Sequence, residues 1–197
     1  MKKNLVVALV AMAVVAASST SSQATILSYS AILSGPAESP PNASPGTGIA
    51  LVDYDDVAKT LTMHVEFQGL IGTTTVSHIH GPTVNPGLLT APVMTTSPTF
   101  VGFPAGVTAG TYDAVLDLTL TSSYHPTFFA NNGGTVASAE IALTNAIAQG
   151  RAYWNIHSSV FPGGEIRGFL LPVPEPASLG LLAVGALSLA RRRGRSA

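Results

Sequence analysis

Thr60-Leu61-Thr62-Met63-His64-Val65-Glu66-Phe67-Gln68 alternates without a break: Leu61, Met63, Val65 and Phe67 point one way, and Thr62, His64, Glu66 and Gln68 the other. A period of two belongs to the extended chain, whose successive side chains leave opposite faces. One apolar and one polar face is the pattern of a half-buried antiparallel strand. Short segments of related pattern lie on either side, at Thr25–Leu33, Gly48–Tyr54, Thr74–His80, Tyr112–Leu120, Arg151–His157 and Glu165–Leu171. Turn-forming clusters separate them, among them Gly35-Pro36, Ser39-Pro40-Pro41-Asn42, Asn85-Pro86-Gly87 and Pro162-Gly163-Gly164. Seven or eight short strands at this spacing argue for a mainly β domain, a sandwich or a barrel, and an antiparallel β-sandwich is the expectation.

One segment departs from the pattern. Ser138–Gln149 is Ala-rich, gathers Ala139, Leu143, Ala146 and Ile147 on one helical face, carries Glu140 in its first turn and meets Gly150 where a C-cap would sit. It predicts a single short helix packed on the sheet. Thr90–Thr108, rich in Pro and Thr, reads as a long surface loop.

Both ends of the chain are targeting segments. Lys2 and Lys3 precede an apolar run from Leu5 to Ala17, and Ser22-Gln23-Ala24 supplies the small residues that signal peptidase requires, so residues 1–24 read as a cleaved signal peptide. The run is 13 residues long, and a spanning helix needs roughly 20. At the other end Ala177 to Ala190 is free of charge and runs into Arg191-Arg192-Arg193-Gly194-Arg195. Such a segment would hold the tail in the inner membrane with its arginines in the cytoplasm, its short length extended by Val173, Pro176 and a snorkelling Arg191. Residues 25–173 remain as the folded domain and 174–197 as the tail.

Composition changes once the ends are set aside. Six of the nine basic residues lie in them, leaving Lys59, Arg151 and Arg167 against nine acids in residues 25–173, a formal charge of −6. A nucleic-acid binder would carry the opposite sign, so that partner is excluded. The chain has no cysteine, which excludes thiol catalysis, zinc–thiolate sites and iron–sulfur clusters.

The histidines offer the clearest site chemistry. His78 and His80, two apart on a strand, project from one face about 6–7 Å apart. Far along the chain, Tyr153-Trp154-Asn155-Ile156-His157 puts Trp154 and Ile156 toward the core and leaves Tyr153, Asn155 and His157 on the other face. If the two strands are neighbours, His78, His80, His157 and Asn155 converge on one outward-facing surface. Such a cluster either caps strand ends by hydrogen bonding or binds a divalent ion, Zn or Cu, and metal uptake would then weaken below about pH 6.5, where free imidazole protonates. Gly163, Gly164, Glu165, Arg167 and Gly168 read as structural. The glycines form a tight turn, and Glu165 and Arg167, two apart on one face, are available for an ion pair or a cross-strand hydrogen bond. His64 and His125 read as surface residues. No Gly-x-Ser-x-Gly elbow and no paired carboxylates are evident, so a non-enzymatic protein is expected.

Two resemblances join these readings. Pro174-Glu175-Pro176, the short apolar segment and the cluster Arg191, Arg192, Arg193 and Arg195, in that order at the end of the chain, resemble the PEP-CTERM sorting signal of Gram-negative exported proteins. The resemblance implies recognition and cleavage by an exosortase-type transpeptidase, after transient anchoring in the inner membrane, and delivery to the outer surface or an exopolysaccharide matrix. Ala31-x-Leu33-Ser34-Gly35, Glu38-x-Pro40-Pro41, His78-Ile79-His80-Gly81-Pro82, Ala152 to Ser158 and Pro162 to Gly168 resemble the CHRD domain first described in chordin. That likeness runs from about residue 28 to 171 and implies a β-rich extracellular module. The expected function is an exported surface or matrix module that binds a polymer or protein. The alternative is a histidine-based Zn or Cu protein, redox-active in the case of copper.

Overall fold

The computed structural model describes residues 24–174. The expected signal peptide, up to Gln23, and the expected sorting helix with its arginines fall outside them. Every strand segment read from the sequence is present: β1 (Ile26–Ser34), β2 (Thr47–Asp55), β3 (Thr60–Gln68), β4 (Thr74–His80), β5 (Gly110–Asp117), β6 (Tyr153–Ser158) and β7 (Ile166–Phe169), with a two-residue β8 (Leu171–Pro172). In β1, β2, β3 and β5 the alternation becomes a two-sided sheet. Leu33, Val52, Met63 and Tyr112 are buried on its inner face, while Ile32, Leu51, Glu66 and Val115 lie outside.

The strands do not divide into the two sheets of a sandwich. They form one antiparallel sheet in the order β4-β6-β7-β1-β2-β3-β5, with β8 beside β1, curled into a half-barrel. The joint that makes it continuous is the pairing of β7 with β1 through Ser34 and Arg167. A curled sheet covers its own apolar face from within, and the helices complete the cover.

Among the described residues there are two short α-helices where one was expected, α1 (Pro126–Asn131) and α2 (Val136–Ala148). The second is the expected helix, buried through Ala139, Leu143, Ala146 and Ile147 and followed by Gly150 at φ 63°. It starts two residues earlier than read, because the Thr135 hydroxyl caps it by accepting from the Ser138 N–H. Glu140 is not a solvated first-turn charge but a clamp, bonded by the Tyr54 hydroxyl and by Lys59 Nζ. The other helix begins at Pro126, where the His125 ring accepts from the Thr127 N–H. No helix among the described residues is long and apolar enough to cross a membrane.

The Thr90–Thr108 segment is not a surface loop throughout. Met94, Thr95, Phe100 and Phe103 are buried, and the segment lies along the free edge of β4. Met94 and Phe100 donate their N–H groups to Ile79 and Ser77 carbonyls, and the Thr95 and Thr99 hydroxyls accept the Ile79 and Ser77 N–H groups. Threonine hydroxyls thus take the place of a neighbouring strand's carbonyls, which explains the composition of the loop.

Gly168 sits where β7 presses on β1. A Cβ there would lie 2.2 Å from the Ile32 carbonyl oxygen, a backbone atom that cannot rotate away. Gly168→Ala is expected to destabilise the fold by about 3 kcal/mol, the upper end for overpacking, and urea unfolding of the variant measures it.

Candidate metal centre

The β4 and β6 strands are neighbours, with His78 opposite Asn155, Ile79 opposite Trp154 and His80 opposite Tyr153. On the other side of β6, Arg167 stands opposite Asn155 and Phe169 opposite Tyr153. Opposed residues share a face, so His78, Asn155 and Arg167 form one row and His80, Tyr153 and Phe169 the next. His157, two residues beyond Asn155, shares that face.

This face does not turn to solvent as the sequence led us to expect. His78, His80 and His157 are only 6%, 8% and 8% exposed, and every residue of β6 is buried. The cover is backbone. The carbonyls of Leu89, Ala91 and Pro98 come from the loop after β4, that of Pro162 from the turn after β6 and that of Ala37 from the turn after β1.

Each imidazole is fixed by one of these carbonyls. His78 Nε2 meets the Pro98 oxygen, His80 Nδ1 lies 2.9 Å from that of Ala91, and His157 Nδ1 lies 2.9 Å from that of Pro162. A carbonyl only accepts, so each of those nitrogens donates its hydrogen, and a neutral imidazole has no second one. The other nitrogen of each ring is therefore a lone pair. His78 Nδ1 is buried without a partner, and His80 Nε2 and His157 Nε2 face each other at 3.5 Å. One ring nitrogen from each of the three residues lies within 4.8 Å of the others.

Burial keeps these rings neutral. It holds His78 and His157 below the ordinary histidine value and takes His80 down to about 4, where the neighbouring histidines and Arg167 push the same way. Two lone pairs 3.5 Å apart repel unless a cation lies between them. Metal–nitrogen bonds of ~2.0–2.1 Å at a tetrahedral angle separate two ligand nitrogens by about 3.3–3.4 Å. Imidazoles whose second nitrogen donates to a backbone carbonyl are also the arrangement that metal sites use to fix the tautomer and aim the ligand.

Beside the histidines lies a second set of groups. Arg167 donates from Nε to the Ala37 carbonyl and from Nη1 to that of Leu89, and its guanidinium lies 4.7 Å over the Tyr153 ring. Tyr153 in turn stacks on His80, with ring centroids 5.0 Å apart. The ion-pair partner of Arg167 is Glu38, at 3.7 Å, and not Glu165. Glu165 precedes β7 and faces elsewhere, accepting from the Ser44 hydroxyl and from the Ile71 and Gly72 N–H groups. Burial raises Glu38 to about 7 against the opposing pull of Arg167 and the Ser39 N–H.

Gly164, at φ 130°, closes the turn after β6 and packs against Asn155 and Glu38, while Gly163 is exposed at its tip. His64 lies on the outer sheet face with Asp113 at 2.6 Å, and His125 caps the first helix, so neither joins the cluster. In the sequence Glu38 is marked only by its place in Glu38-x-Pro40-Pro41. Its pairing with Arg167 spans 129 positions, too far for any spacing rule to show.

The CHRD domain profile matches residues 29–170, nearly all of the described structure. The chain belongs to the CHRD family. The histidine face, the β6 strand and the Pro162–Gly168 turn thus all lie inside its CHRD domain. The PEP-CTERM protein-sorting motif matches residues 172–195, directly after the domain, and implies processing by exosortase and export to the cell surface. No curated protein and no solved structure matches the chain.

Proposed function

We propose that this CHRD protein is an exported surface module whose domain holds one Zn or Cu ion on His78, His80 and His157. The role is one of binding, and no reaction is assigned to it. The observation that carries the reading is the pair of unprotonated nitrogens, His80 Nε2 and His157 Nε2, facing each other at 3.5 Å while the far side of each ring is tied to a carbonyl. Hydrogen bonding alone accounts for only one nitrogen of each ring. Display of this polar face to a polymer has less support, since loops bury it.

Calorimetric titration of the purified mature protein with Zn and Cu tests the reading. One equivalent is expected to bind to the wild type and to His125→Ala, with binding lost in His80→Ala and His157→Ala. Equal weak binding by all four proteins would leave strand capping as the role of the histidines.

The sorting motif carries a separate expectation, with the signal peptide and tail as its sites. Protein recovered from the cell surface should begin near Thr25 and end near Pro174–Pro176, as read by intact mass. A surface form that still carries Arg191–Arg195 would contradict it.

A further inference from the structure

Three imidazoles do not complete the shell of a zinc or copper ion. Zn(II) and Cu(II) take four or more ligands, and sites with only three protein ligands keep the remaining place for an exchangeable one. Among the described residues, no Asp, Glu or further His joins His78, His80 and His157.

A second, independent observation points to what would sit beside them. Asn155 Oδ1 and Glu38 Oε1 are both buried acceptors without a hydrogen-bond donor, on residues only 2% and 7% exposed. Both border one spot. A Cβ placed on Gly164 would lie 2.6 Å from Asn155 Nδ2 and 2.7 Å from both Asn155 Oδ1 and Glu38 Oε1, so both side chains close on this glycine and bring their unpartnered oxygens near one another. Asn155 stands directly opposite His78 on the neighbouring strand. Buried acceptors in that position lack O–H donors, and a small oxygen ligand supplies them.

We propose that an ion held by His78, His80 and His157 keeps a coordination position for a small exogenous ligand beside Asn155 and Glu38, with water held there by both at rest and replaceable by a small anion. This rests on the metal-binding reading above. The ligand donates its O–H groups to Asn155 Oδ1 and Glu38 Oε1. An anion entering instead meets Glu38, which repels it when ionised, above about pH 7, and the Asn155 amide, which rotates to donate.

Azide titration of the Cu(II)-loaded mature protein tests this, since azide bound to Cu(II) adds a charge-transfer band in the near ultraviolet. The wild type should bind one equivalent of copper and show a saturable azide band. Glu38→Gln, of the same size, turns a repelling acceptor into a donor and should tighten azide by about tenfold or more. Asn155→Asp, also isosteric, adds a charge and should weaken it by a similar factor, the scale of a hydrogen bond to a charged group. Both variants should retain one equivalent of copper. A protein that takes up no copper overturns the metal-binding reading and this proposal together. Copper bound without any azide band overturns the open position alone. Equal azide affinity in all three proteins removes Asn155 and Glu38 from the ligand site.

Discussion

Trp154→Ala is expected to cost about 3–5 kcal/mol of stability, the range for truncating a large buried aromatic ring. Trp154 is fully buried, stands between Ile79 and Gly168 in the sheet, and stacks on Phe100 with ring centroids 4.9 Å apart. Its indole N–H has no partner, so the variant loses packing and gains a cavity without breaking a hydrogen bond. Collapse of that cavity is restricted by its walls. Ile79 and Gly168 belong to hydrogen-bonded strands, and Phe100 is tied through its N–H to the Ser77 carbonyl. Chemical denaturation compares the two proteins, and a loss below about 1 kcal/mol would be a surface-residue value, at odds with burial.

Trp154 also marks the boundary of what was legible in the sequence. Period-two alternation located β1, β2, β3 and β5 because each has one buried and one wet face, most cleanly in β3, since Ile32, Leu51 and Val115 interrupt the polar side of the other three. The same rule placed Trp154 and Ile156 inward correctly and then misjudged Tyr153, Asn155 and His157. Alternation shows which residues share a face, but the cover over this face is made of backbone carbonyls from Ala91, Pro98 and Pro162, and a carbonyl has no sequence signature. The sandwich expectation failed for a related reason. Strand number was readable, whereas the joining of β7 to β1 through Arg167 and Ser34 is a long-range pairing that no local pattern specifies. Spacing brought His78 and His80 together and chemistry suggested His157. Spacing also suggested a Glu165–Arg167 pair, which the start of β7 at Ile166 separates.

Acid is expected to destabilise the metal-free protein between about pH 6.5 and pH 4, and bound metal to counter much of that loss. In the unfolded chain the histidines protonate near 6.5, while in the fold burial lowers all three and takes His80 to about 4. Across that window the unfolded state binds more protons than the native state, so stability falls as pH falls. For His80 alone the difference between 6.5 and about 4 corresponds to a loss on the order of 3 kcal/mol. Glu38 works in the opposite sense. Its folded value of about 7 lies above the ordinary 4.5, so its contribution grows as pH drops through that interval. That shift is as large as the one on His80 and offsets it down to about pH 4.5, so the net loss is the part carried by His78 and His157, with His80 adding to it below that pH. A metal that binds only the native, neutral rings adds about 4 kcal/mol at a thousandfold excess over its dissociation constant. Because the native rings resist protons, uptake should persist well below pH 6.5, lower than free imidazole would allow. Thermal midpoints followed from pH 8 to 4, with a chelator and with Zn, measure both effects, and His80→Ala should flatten the chelated curve. In Glu38→Gln, which removes the opposing carboxyl, a chelated midpoint that holds level across the window would contradict the burial of three neutral histidines on which the site depends.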